Sequence, residues 1–168
     1  NVVRLQWMWN AFEPIDNQFN LTYFNKIETI VNNLGKNGIY TILDSHQDQL
    51  GNKYCSEYGL PIWAMNKIII NNSKYKFPWP LSGNCSTRPW GENLLSYELA
   101  YGFQNLYDNI NGLQDDFIHF WQKSLDIWKD NPYILGCELI NEPFIGDFYK
   151  DITLFIPGEA GKKNIMPF

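Results

Sequence analysis

The sequence predicts an α/β fold, part of a (β/α)8 barrel, on three observations. Short, continuously apolar runs read as strands, helical spacings of apolar residues separate them, and polar residues cluster directly after the strand ends. Continuous apolar runs suit strands of a parallel sheet, and strand–helix–strand order implies right-handed crossovers. A doubly wound sheet meets the same order and stays open as the structural alternative. Three strands with helices on one side cannot bury both sheet faces. The chain opens inside an apolar run, without an initiator Met or a signal peptide, and closes without a terminating pattern, so it is expected to be an excerpt of a longer domain.

Asn1-Val2-Val3-Arg4-Leu5 reads as the first buried strand and leads into Trp7-Met8-Trp9. Phe24, Ile27, Val31 and Leu34 then recur at helical spacing, in a helix opened near Asn20 or Thr22 and stopped by Gly35 and Gly38. Gly38 to Asp44 is a second β-branched, fully buried strand. Residues 49–95, rich in Asn, Pro, Gly and Trp, read as irregular. Leu99, Phe103, Leu106, Tyr107 and Ile110 mark a second helix. Phe117, Trp121, Leu125 and Trp128 mark a third, ended by Asn131-Pro132. Tyr133 to Ile140 is the third strand, ending at Asn141-Glu142-Pro143, and the tail from Phe144 reads as loop.

Composition narrows the function classes. Thirteen basic against eighteen acidic residues and no basic cluster beyond Lys162–Lys163 argue against nucleic acid as a partner. No window of eighteen apolar residues occurs, so stable membrane insertion is not expected. Aromatic residues reach 17%, which fits either a large aromatic core or a surface that stacks on sugar rings. Cys55 and Cys85 share one loop-like stretch and are expected to pair in an oxidising compartment, with Cys137 left as a buried thiol. Asn20, Asn71 and Asn84 begin N-glycosylation triplets. Together these suggest a secreted or lysosomal protein reached by the secretory route.

The strand ends carry the candidate chemistry. Glu142, at the mouth of a parallel strand beside a chain-stiffening proline, suits a general acid/base; a cap or surface glutamate is the plain alternative. His46 and Asp48 suit hydrogen bonds to sugar hydroxyls, or simple turn residues; a third ligand at metal spacing is missing nearby, so no metal is expected. Arg4 lies within an apolar strand and needs a partner for its charge. Glu138 is expected to meet a polar partner, and His119 to sit on the solvated face of its helix. No Gly-rich phosphate loop, CxxC or G-x-S-x-G elbow is present.

Taken in order, these segments resemble glycoside hydrolase family 5, in its endoglycoceramidase branch. The resemblance rests on Asn1–Leu5 with Met8-Trp9, on Gly38 through Asp44-Ser45-His46-Gln47-Asp48, and on Leu106–Asn109 with Gly112–Asp115. Leu139 to Pro143, Gly146-Asp147 and Pro157-Gly158 complete it. It implies that residues 1–168 are an incomplete catalytic barrel domain, about strands 2 to 4, inactive alone, with the nucleophile on a later strand. It implies Glu142 as acid/base, Asn141 beside the scissile bond, Arg4 as organiser of carboxylates, and His46 and Asp48 as ligands of sugar hydroxyls. Trp9 would be a rim aromatic that stacks on sugar or lines a lipid entrance.

The implied activity is retaining hydrolysis of the β-glycosidic bond between oligosaccharide and ceramide, with no cofactor and a glycolipid as partner. Contact with a membrane would then be peripheral. A relative acting on glucosylceramide or a steryl glucoside, or an inactive glycan-binding remnant, stays open. The Asn- and Lys-rich insert around Ile68–Lys76 is expected to border the cleft.

Overall fold

A computed structural model describes residues 1–168. Three strands form one parallel sheet in the order β1 (Val2–Gln6), β2 (Tyr40–Asp44), β3 (Ile134–Glu138). Arg4 pairs with Ile42 and Gln6 with Asp44 across the first ladder; Asp44 pairs with Glu138 across the second. The crossovers carry α2 (Leu21–Lys36) between the first two strands, and α4 (Tyr97–Tyr107) and α5 (Leu113–Trp128) between the next two. Short helices α1 (Trp9–Phe12) and α3 (Ile62–Met65) stand in the strand-to-helix connections.

The ends of α2 follow from local chemistry. Asn20 is its N-cap, its side-chain oxygen accepting from the Tyr23 amide at 3.0 Å. Gly35 lies inside the helix, so it does not stop it. The chain turns out instead at Gly38, whose φ of +73° is a left-handed conformation that suits glycine. Gly35 has a packing role: a Cβ there would sit 2.0 Å from Cγ of the Tyr133 ring.

The core lies on one side of the sheet and is largely aromatic. Trp7, Trp9, Phe12, Phe103, Phe117, Phe120, Trp121 and Trp128 are all buried in it. Trp7 meets Trp128 edge-on at 5.5 Å and donates from Nε1 to Ser124 Oγ at 2.7 Å, satisfying its buried polar atom. Much of the aromatic excess is therefore structural.

Two expectations about burial are corrected. The strands are not fully buried: Leu5, Leu43 and Cys137 pack against the core, whereas Val2 and Tyr40 on the other face are exposed, and Leu135 is exposed where the register of the second ladder shifts. The helices cover one sheet face only, and strand alternation turns every second side chain to the other. Cys137 is accordingly half-buried and free, its thiol pushed up by partial burial. On α5, Leu125 is 50% exposed, because the helix buries a narrower stripe than its apolar spacing suggests. The irregular stretch 49–95 contains α3 and short 3-10 turns. The tail is also more ordered than a loop, with a 3-10 turn at Ile152–Phe155 and a π turn at Gly161–Ile165.

Candidate active site

Arg4, Asp44 and Glu138 project from the sheet face opposite the core, where no helix covers them, and they neutralise one another. Arg4 grips Glu138 with two donors, Nε to Oε2 at 2.5 Å and Nη2 to Oε1 at 2.8 Å. The same Nη2 donates to Asn141 Oδ1 at 2.6 Å and lies 3.2 Å from Asp44 Oδ1. Both Nη2 hydrogens are committed to Glu138 and Asn141, so Asp44 receives charge from Arg4 rather than an aligned hydrogen bond. The expected partner for Arg4 is present, but the side chain is 44% exposed rather than deep in an apolar run.

The two carboxyls respond differently. The hydrogen bond from Arg4 holds Glu138 below the usual carboxylate range. Asp44 is fully buried, and loss of solvent pushes its carboxyl up against the opposing pull of His46 and Arg4. The guanidinium of Arg4 is itself held above its usual value by the Glu138 hydrogen bond.

Beyond β3 the backbone is fixed by the loop that follows β2. The Asn141 amide donates to Ser45 O at 3.0 Å, and Asn141 Nδ2 donates to Gln47 O at 2.9 Å. Gln47 returns the contact, its Nε2 donating to Asn141 O at 2.5 Å and reaching Glu142 O at 3.3 Å. Its Oε1 accepts from the Leu50 amide at 2.9 Å, so both ends of this buried amide are anchored. Asn141 is buried and braced by Arg4 and Gln47. Glu142 stands at φ +39°, a left-handed conformation costly for a glutamate, and its side chain is exposed and bonded to no protein group. Such strain is held in place by the clamp on either side.

On the β2 side, His46 Nδ1 lies 2.7 Å from Asp44 Oδ2, and its Nε2 lies 3.7 Å from Asp48 Oδ2. The ring meets Tyr58 edge-on at 5.9 Å. His46 and Asp48 are thus placed at the strand mouth, and Arg4 connects Asp44 beneath His46 to Asn141, the neighbour of Glu142. No three His, Cys, Asp or Glu side chains stand close enough together to hold a metal ion.

Trp9 does not belong to this site. It is 1% exposed, and its Nε1 donates to Glu13 at 2.9 Å within the aromatic core. The chain passes from β1 straight into α1, which rolls the Trp9 ring inward, so it offers no face to a sugar. Cys55 and Cys85 form a disulfide closing a 30-residue separation. Asn20, Asn71 and Asn84 are all exposed. His119 is partly covered by Phe19, with ring centroids 6.1 Å apart, and so is less solvated than its helix position suggests. The Ile68–Lys76 insert lines a cavity of about 400 Å³ with Lys53, Phe77 and Glu98, and none of the strand-end residues lines it.

Asp44 and Gln47 are the site residues that sequence reasoning missed. Asp44 ends an apolar strand as Arg4 interrupts one, and the same need for a partner would have flagged it. Gln47 lies between His46 and Asp48, but a neutral amide carries no charge signal that singles it out.

An exposed carboxyl at a braced strand mouth, near a cation, an imidazole and a second carboxyl, can give and take a proton. Comparison with known proteins gives the family. The model of Cellulase (glycosyl hydrolase family 5) matches residues 1–150. The chain is 39% identical over 177 residues to an endoglycoceramidase of Cyanea nozakii, covering 99% of this chain and 35% of that protein. Against an endoglycoceramidase of Hydra vulgaris it is 38% identical, covering 99% and 34%. The crystal structure of an endogalactoceramidase superposes with a TM-score of 0.67 at 29% identity, covering 87% of this chain and 32% of that one. The chain therefore spans about a third of the length of the curated relatives it matches. The parallel sheet is the corresponding part of a (β/α)8 barrel, and the chain belongs to glycosyl hydrolase family 5.

Proposed function

We propose that the protein carrying this chain is a retaining endo-β-glycosidase that releases oligosaccharide from ceramide in glycosphingolipids. The observation that carries this reading is Glu142, a strand-mouth carboxyl free of protein partners and braced by Gln47 and Asn141. Glu142 donates its proton to the glycosidic oxygen as that oxygen leaves the anomeric carbon. It then accepts a proton from the water that attacks the glycosyl-enzyme intermediate. Retention needs a second carboxyl roughly 5–5.5 Å away as nucleophile. Glu138 is bound twice by Arg4 and Asp44 is buried against His46, so the nucleophile is assigned to a carboxylate outside this cluster. His46, Asp48 and Asn141 hold the sugar, and Arg4 orders the carboxylates around it.

Similarity to endoglycoceramidases and to an endogalactoceramidase supports a ceramide-linked substrate. Such a lipid is met at a membrane surface. No helix is long and apolar enough to cross a membrane, which leaves peripheral contact as the mode proposed. The Cys55–Cys85 disulfide and exposed Asn20, Asn71 and Asn84 support passage through the secretory route, with glycans on those asparagines.

A panel of fluorescent glycolipids, incubated with the protein that carries this chain, tests the reading. Release of intact oligosaccharide from a lactosyl or longer head group is expected. Release of glucose alone would assign a glucosylceramide or steryl glucoside hydrolase. Binding without any release would assign a glycan-binding remnant, and either result overturns the endo reading.

A further inference from the structure

Asp44 is fully buried, ionisable, and has so far no part in the chemistry. It contacts two groups of the site, His46 at 2.7 Å through Oδ2 and Arg4 at 3.2 Å through Oδ1. We infer that Asp44 is the positioning residue that makes His46 a hydrogen-bond acceptor toward the substrate, so that His46 Nε2 and Asp48 together take two neighbouring sugar hydroxyls. This rests on the glycosidase reading above and names which atoms hold the sugar.

An ionised carboxylate only accepts, so the short contact to Asp44 places the hydrogen of His46 on Nδ1. In a neutral imidazole that leaves the lone pair on Nε2. Asp48 Oδ2 lies 3.7 Å from Nε2, beyond direct hydrogen-bond range, so it does not claim that nitrogen. The strand mouth thus presents two acceptors side by side, and an acceptor pair fits two adjacent hydroxyls, each with a hydrogen to give. The Arg4 charge beside Oδ1 and the His46 contact at Oδ2 favour the ionised carboxylate, while both hydrogens of Arg4 Nη2 serve Glu138 and Asn141. The side chain of Asp44 therefore has its hydrogen bond to His46, and its Oδ1 meets only the charge of Arg4. A free imidazole in water favours hydrogen on Nε2, the opposite arrangement, so the buried carboxylate has a definite effect to exert.

The tautomer is read directly from ring-nitrogen chemical shifts in 15N NMR of the unliganded protein. The chain has two histidines, His46 and His119, and a His119→Gln variant assigns them. In its neutral ring the wild-type protein is expected to show His46 with a protonated Nδ1 and an unprotonated Nε2. An Asp44→Asn variant is expected to move the hydrogen toward Nε2 and to lower kcat/KM on glycolipid by about ten- to a hundredfold. In a His46→Ala background the same substitution is expected to cost nothing further, because its effect passes through the ring.

A neutral His46 ring with its hydrogen on Nε2 in the wild-type protein overturns the inference, and so does an undiminished loss from Asp44→Asn in the His46→Ala background. The spectrum needs no substrate and no variant at Asp44. A protein with the expected tautomer that cleaves no glycolipid would refute the glycosidase reading and leave the tautomer standing.

Discussion

Glu138 and Asp44 carry the same charge on the same sheet face, paired across one ladder, yet their carboxyls are driven in opposite directions. Glu138 reaches the rim, where Arg4 donates to it twice. Asp44 sits under His46 with no access to water. Gln47 performs a different task, since it touches backbone only and holds Asn141 and Glu142 in place. Gln47→Ala should lower kcat by about tenfold or more, because Glu142 is released from a strained conformation it does not favour alone. It should also cost about 1–3 kcal/mol of stability, for the buried backbone groups left unpaired. Urea melts beside steady-state kinetics separate the two effects, and unchanged kcat would remove Gln47 from the site. The placement of Arg4, His46, Asp48, Asn141 and Glu142 at one strand mouth is legible in the sequence because each is a charged or polar side chain at the end of, or within, an apolar run. Trp9, a rim aromatic by resemblance, lies in the core instead, because a matching residue type does not show which way the chain turns after the strand.

Among the elements, α2 was the most legible. Its capping Asn20 and apolar spacing are local signals that tertiary contacts did not override. What the sequence could not show was why Gly35 is a glycine, since the Tyr133 ring that fills its side is 98 positions away in the chain. Gly35→Ala would gain helix propensity but must displace that ring. The packing penalty of overfilling, about 1–3 kcal/mol, outweighs the roughly 1 kcal/mol propensity gain. Thermal or chemical melts should therefore show net destabilisation, and a more stable variant would contradict the packing described. The Cys55–Cys85 bridge closes a loop of 30 residues, and chain entropy gives it roughly 3–4 kcal/mol. Melts of a Cys55→Ser/Cys85→Ser double variant should fall by about that amount; an unchanged midpoint would mean that the bridge constrains nothing.

For the molecule as a whole, the fold class followed from element order, and the one-sided cover of the sheet followed from having helices on a single face. The aromatic composition left two readings open, and only packing decides between them: Trp7, Trp9 and Trp128 went to the core, while Trp90 and Tyr149 remain exposed. The charge distribution gives a global prediction. Burial raises the carboxyls of Glu13, Asp44 and Asp147, so each favours folding below its unfolded value and loses that contribution as pH rises through its raised folded value. Glu138 is lowered by Arg4, and Asp151 is lowered to about 2 by Lys163. These two favour folding above the usual carboxylate range and lose that contribution as pH falls through their own values. Stability should therefore rise on moderate acidification from neutrality, as the buried acids take up protons, and fall steeply only in strong acid. Urea titrations across that range check it, and a monotonic loss from neutrality downward would show that the buried acids do not govern the response.

Glu142 is the proposed acid/base of a retaining glycosidase, and the remaining roles depend on it. The most direct test replaces it with alanine in the protein that carries this chain and supplies an aryl β-lactoside whose leaving group needs no protonation. Without a base the glycosyl-enzyme accumulates, and azide, which needs no deprotonation, attacks it. Azide is predicted to restore turnover and to yield a β-lactosyl azide, with configuration retained. An α-linked azide would make Glu142 the nucleophile, and full activity in the Glu142→Ala variant without azide would remove it from the chemistry altogether.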